Sequence, residues 1–129
     1  MAAGYVVSLR NAQLDAITTA VGSAGKLQIY DGTRPATGGT ATNKLAEFTL
    51  GTPFAAAAAA AALSPNLPAN ATGLLAGTAT WFRIVTSAAA FVIDGSAGTS
   101  GTDLILNTAT ISVGVAVSVT GFTISRGNP

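Results

Sequence analysis

The residues of this 129-residue chain best suited to acid–base work are five carboxylates: Asp15, Asp31, Glu47, Asp94 and Asp103. Histidine and cysteine are absent. Their absence removes Ser–His and Cys–His nucleophilic pairs and any thiolate or imidazole zinc site. Two acids suffice for a paired-carboxylate hydrolase. Asp31, Asp94 and Asp103, however, adjoin glycine or threonine at the ends of strand-like runs, where aspartate ordinarily stabilises a turn through its own backbone. The stretch DGSAGTSGTD, residues 94–103, carries acids only at its two ends, and that spacing matches no calcium loop, which needs six to eight oxygens. Gly25-Lys26 lacks both the following Ser or Thr and the upstream glycine spacing of a phosphate loop. Asn70-Ala71-Thr72 is a glycosylation sequon that matters only in a secreted chain. No catalytic, cofactor-binding or metal-ligating residue is assigned, and the expectation is a protein that is not an enzyme.

Composition points towards packing against neighbours. Charged residues make up 9% of the chain, against roughly a quarter in ordinary soluble domains, so much of the surface lacks solvating groups. Six cations, Arg10, Lys26, Arg34, Lys44, Arg83 and Arg126, are spread thinly for a net charge of +1. That excludes the clustered basic footprint of a nucleic-acid binder. The first residues, MAAGYVVSLR, lack the basic start and apolar run of a secretory signal. The most lipid-like stretch, residues 53–63, is far shorter than the roughly 20 apolar residues that span a bilayer. Synthesis in the cytoplasm and no membrane segment are therefore expected.

The length suits one domain, 1–129. In residues 8–21, Leu9, Ala12, Ala16, Ile17, Ala20 and Val21 recur at helical spacing, with Ser8 as N-cap and Gly22 as stop. From Lys26 onward the period changes to two. KLQIY and LAEFTL read as strands joined by DGTRPATGGTATN, residues 31–43, a turn-rich excursion with no apolar anchor, expected to be exposed. Residues 55–62 are all alanine; helix propensity is maximal, but prolines at 53 and 65 hem the run, and an extended strand is expected. TATWFRIVT and FVID form a predicted hairpin around residues 87–90, followed by a loop over residues 95–102 and a strand at 104–106. In residues 113–119 the four valines share one strand face, and a bulge near Gly121 would bring Phe122 and Ile124 back to the core. One N-terminal helix and seven or eight short antiparallel strands predict an all-β jelly roll or β-sandwich.

Trp81 and Arg83 share a face of their strand opposite to Phe82 and Ile84. Either they point outward, as Trp and Arg do at the energetic centres of interfaces, or Trp81 is core beneath the helix with Arg83 at its rim. Tyr30 and Arg34 join them as candidate interface residues.

Taken together, LRNAQLDAITTAVGSAGKLQIYDGTRPATGG, LAEFTL, TATWFRIV, VIDGS, DLILNT and VSVTGFTISRGN cover most of the chain and resemble a family of small virion proteins of tailed bacteriophages and prophages. The alanine run departs from that pattern, which has more varied residues there. The resemblance implies a jelly-roll capsid cement, or decoration, protein, made in the bacterial cytoplasm and seated on the outside of the phage head. Its partners would be the major capsid protein, whose adjacent subunits it clamps, and further copies of itself as a dimer or trimer. It implies no catalytic residue and no cofactor. The valine strand and the alanine run are candidate contact edges, since uncovered they would invite aggregation. A neck, tail or baseplate location, and a carbohydrate-binding sandwich on the virion, are the alternatives.

Overall fold

The alternation in KLQIY becomes the middle of a twisted sheet. In a computed structural model, which describes residues 4–68 and 70–125, the chain is β-rich with one helix. Arg126 lies outside the described residues. Helix α1 (Val7–Val21) precedes strands β1 (Lys26–Tyr30), β2 (Lys44–Thr49), β3 (Ala62–Leu63), β4 (Ala71–Thr72), β5 (Gly77–Thr78), β6 (Trp81–Val85), β7 (Phe91–Gly98), β8 (Leu104–Leu106), β9 (Thr110–Ile111), β10 (Ala116–Val117), β11 (Val119–Phe122) and β12 (Ile124–Ser125). Six of these make one sheet in the order β11-β8-β7-β6-β1-β2. Its neighbours are antiparallel except for the parallel pair β7 and β8, which departs from the expected all-antiparallel arrangement.

The other strands form three two-residue ladders, β3 with β12, β4 with β10 and β5 with β9. As one partner advances from 62 to 78, the other retreats from 125 to 110. The three ladders are thus fragments of one long, interrupted antiparallel ribbon. This ribbon meets the large sheet at both of its edge strands. Edge strand β11 is part of the ribbon's own chain, and the Leu74 N–H donates to the Leu45 carbonyl of the opposite edge strand, β2, at 2.7 Å.

The core lies inside this curl. Leu27, Ile29, Phe48, Phe82 and Ile84 face it from the large sheet, and Phe54, Leu63, Leu104, Leu106, Ile111 and Val117 meet them. Each such side chain contributes roughly 1.5–3 kcal/mol by leaving water. From the helix, Leu14 and Val21 are buried and Ile17 partly so, while Leu9, Ala12, Ala16 and Ala20 are exposed. The expected apolar stripe is therefore rotated. The inward side of α1 carries polar groups with work to do: Asn11 Oδ1 accepts the Ala61 N–H at 2.9 Å and Asp15 Oδ1 accepts the Ala58 N–H at 2.8 Å. The N-cap is Val6, with no side-chain cap, and Ser8 sits inside the first turn. Gly22 ends the helix as expected, at φ +70°.

The alanine run is not the expected strand. Ala59 and Ala62 exchange both backbone hydrogen bonds, 3.1 and 2.9 Å, around Ala60 and Ala61 at φ +51° and +58°. This is a two-residue reverse turn made of alanines where Asn-Gly would be preferred. The valine strand is also broken. Gly114 turns at φ +78°, leaving Val113 and Val115 65% and 56% exposed, and only Val117 is buried. The hairpin of β6 and β7 forms as predicted, with the Thr86 N–H donating to Ala90 O, and the register of β11 against β8 shifts between Val119 and Gly121. Strand β7 runs on through Gly95, placing there a residue whose Cβ would collide with the Phe82 ring.

Candidate functional site

Strand β6 is buried on both faces. Phe82 and Ile84 enter the core, and Trp81 and Arg83 occupy the opposite side of the sheet. There Tyr30, paired across from Trp81, stacks on it with ring centroids 4.4 Å apart and 16° between planes. The Arg83 guanidinium lies 5.2 Å from the Trp81 ring centre and 5.4 Å from that of Phe91. Its Nε donates to Asp94 Oδ1 at 2.7 Å, and its Nη2 to Asp94 Oδ2 at 3.1 Å and to the Gly39 carbonyl at 2.7 Å. The fork geometry of arginine suits such bidentate pairing with a carboxylate.

Residues 31–43 provide the cover. The Trp81 Nε1–H donates to the Asp31 carbonyl at 2.9 Å and to Thr42 Oγ1 at 3.0 Å, and the Gly38 N–H donates to Asp94 Oδ2 at 3.1 Å. The segment is therefore a strap across the second face of the sheet, held by polar bonds. Tyr30, Trp81 and Arg83 are 6%, 0% and 9% exposed. The expectation that they present a surface is corrected, and so is the alternative that α1 covers Trp81. A strand of alternating parity cannot reveal that the chain's own loop folds back over its second face. Of the four candidate interface residues, only Arg34 is exposed.

The same face continues as a polar network. The Tyr30 hydroxyl donates to Gln28 Oε1 at 2.7 Å, and Gln28 Nε2 and Lys44 Nζ donate to Glu47 Oε2 at 2.9 and 3.0 Å. Burial pushes the Glu47 carboxyl up, but the bonds from Gln28 and Lys44 outweigh it and hold the group below its ordinary range. Burial raises the Tyr30 phenol, with Lys44 and Arg83 opposing. The bond to Asp94 raises the Arg83 guanidinium further. Asp31 is held low by the backbone N–H of Asn43 and then by that residue's side chain. These groups satisfy one another and brace the strap.

The remaining acids are similarly engaged. Asp103 Oδ2 accepts both the backbone N–H and the hydroxyl of Ser96, each at 3.0 Å. Asp94 and Asp103 both border a shallow groove of about 270 Å³ whose other walls include Phe82, Phe122 and Ile124. Among the described residues, no group of three or more acids is placed to hold a metal ion, and no helix is long and apolar enough to cross a membrane.

A different surface stands out in three dimensions. Residues 48–82 and 104–125 carry no charged side chain, and these two stretches contain both sides of the ribbon. Among the described residues, one layer of the molecule is thus free of ionic groups, which lie on α1, β1, β2, β6, β7, the connection of β1 to β2 and that of β7 to β8. At its tip two turns interlock, the Gly73 N–H donating to Val115 O at 2.9 Å and the Gly114 N–H to Gly73 O at 3.0 Å. They present Leu74, Leu75, Val113 and Val115, 54%, 45%, 65% and 56% exposed. The signal in sequence was the length of the two uncharged stretches; that they pair with each other follows only from the fold. Comparison with protein-family models, with curated proteins and with solved structures finds no match to this chain.

Proposed function

We propose that this chain is a structural virion protein, a capsid cement protein that binds the outside of a phage head and bridges adjacent major capsid subunits, and that its curled sheet and ribbon make a sandwich of jelly-roll type. The observation that carries this reading is the uncharged layer. A surface without ionic groups is poorly solvated when left bare, and it docks on protein without the cost of stripping water from charges. Adhesion of this kind needs contact area, roughly 800 Å² per partner in a standard interface, multiplied over many equivalent joints of a shell. The layer has a rigid backing in the three ladders of the ribbon and in the bonds that lock its two tip turns together.

The test is the copy number of the chain, by mass spectrometry, in particles of the phage or prophage that encodes it. Hundreds of copies, in fixed proportion to the major capsid protein, are expected, together with rebinding of purified protein to heads that lack it. A dozen copies or fewer would place it at the neck or tail, and failure to rebind would overturn the cement reading.

A further inference from the structure

The strap over Trp81 and Arg83 is a cover with almost nothing of its own buried. None of residues 31–43 is buried and none belongs to the core cluster, yet Arg83 beneath them is almost sealed from water. Its two ends are fastened to each other and to the sheet. The Asp31 N–H donates to Asn43 O at 3.3 Å, the Asn43 N–H to Asp31 Oδ1 at 3.0 Å, and Thr80 Oγ1 to Gly32 O at 2.5 Å. Between those ends runs an arch, residues 33–41, with the anatomy of an Ω-loop: its ends meet, and it contains neither strand nor helix.

Among the described residues, the arch makes two hydrogen bonds to the rest of the molecule, and both end on one ion pair. Arg83 Nη2 donates to Gly39 O, and the Gly38 N–H donates to Asp94 Oδ2. Side chains add little, since the residue that lies against the Phe91 ring is Gly38, which has none. A segment with so few apolar contacts opens at a lower free energy than the sheet beneath it. Gly32, at φ +71°, joins the fastened end to the arch, and the Gly39 N–H bond to Ala36 O, 2.7 Å, holds the middle of the arch together. We infer that the arch is a hinged cover: residues 33–41 lift from the Arg83–Asp94 pair as one unit while β1, β6 and β7 stay folded, and the guanidinium and the Phe91 ring are uncovered. The face of Trp81 and Arg83, whose residue types suit an interface, thereby has a closed and an open state. Opening of the arch and binding to a capsid are independent properties.

Native-state hydrogen exchange tests this. The Gly38 amide, whose acceptor is Asp94, should exchange at least about tenfold faster than the amides of β6, each referred to its unstructured rate. Low concentrations of urea should leave the Gly38 rate unchanged while they accelerate β6, because lifting an arch with no buried residue exposes little new surface. Arg83→Lys keeps a cation for Asp94 but has no fork to reach Gly39 as well, and should speed exchange at Gly38 roughly tenfold. Proteolysis is a second readout. Arg34 is followed by Pro35, which blocks trypsin, so Pro35→Ala makes that bond cleavable. The folded variant should be nicked after Arg34 ahead of any cut at Lys26 or Lys44, which lie in strands, and at a rate indifferent to low urea. The two fragments should stay together and keep the emission of the single tryptophan, Trp81. A Gly38 amide that shares the urea slope and protection of β6, a Gly38 rate indifferent to Arg83→Lys, or a Pro35→Ala chain cut only as the whole molecule unfolds would each overturn the inference.

Discussion

Arg83 is a cation held almost out of water, tolerated because Asp94 takes two of its N–H groups and Gly39 a third. The side chains of the pair are 10% and 2% exposed, so deleting one partner leaves a charge with little solvent to turn to. Asp94→Ala should destabilise the protein by about 2–4 kcal/mol in urea unfolding. It should also speed hydrogen exchange at Gly38, whose amide loses its acceptor. Replacing both partners with apolar groups, Arg83→Met with Asp94→Leu, should cost less than Asp94→Ala alone, since no unpaired charge remains buried. The strap would still lose its bolts, so fast exchange at Gly38 should persist in the double variant.

At the scale of elements, the helix and the alanine turn form one unit. α1 buries little beyond Leu14, Val21 and part of Ile17, and the side-chain amide oxygen of Asn11 and the carboxylate of Asp15 accept backbone N–H groups of the run and fasten the helix to it. Asn11→Ala with Asp15→Ala should cost about 2–3 kcal/mol, measured by denaturant unfolding, with helical circular dichroism retained in the folded state. The turn itself holds two alanines in the left-handed region, each strained by roughly 1 kcal/mol relative to glycine or asparagine. Ala60→Asn with Ala61→Gly should therefore raise stability by about 1 kcal/mol, partly offset because Ala61 is buried and loses its methyl. A higher thermal midpoint checks it; a lower one would mean that the methyl contact outweighs the backbone relief.

For the molecule as a whole, the absence of histidine and cysteine leaves no side chain of ordinary pKa to titrate near neutrality, so stability should be nearly flat from about pH 6 to pH 9. Below that plateau the sign follows from Glu47 and Asp31. Both carboxyls lie below their unfolded values in the folded chain, so their contribution is complete above the unfolded pKa and is lost as pH falls through the folded one. Tyr30 acts at the other limit. Its raised phenol favours the folded state below the unfolded pKa of about 10, and that contribution disappears as pH rises through the folded value. Glu47→Gln should flatten the acid limb, seen in unfolding free energies measured between about pH 2 and pH 6.

Periodicity and composition determined much of this protein unaided: the helix and its stop at Gly22, the strands within KLQIY, LAEFTL and TATWFRIVT, the last of which begins only at Trp81, the hairpin of β6 and β7, and the bulge before Gly121. Those features depend on neighbours in the chain, through alternation, turn residues and backbone freedom. Tertiary structure alone decided that residues 31–43 fold over Trp81, that eight alanines make a turn pinned by helix side chains, and that two uncharged stretches pair into one layer with Leu74, Leu75, Val113 and Val115 at its tip. An alanine or a loop glycine has no side chain to declare a face, so its place is set by whichever distant donor or acceptor reaches its backbone. The loss of Val113 and Val115 from the expected strand has the same origin, since Gly114 could turn and the Gly73 backbone was there to hold it.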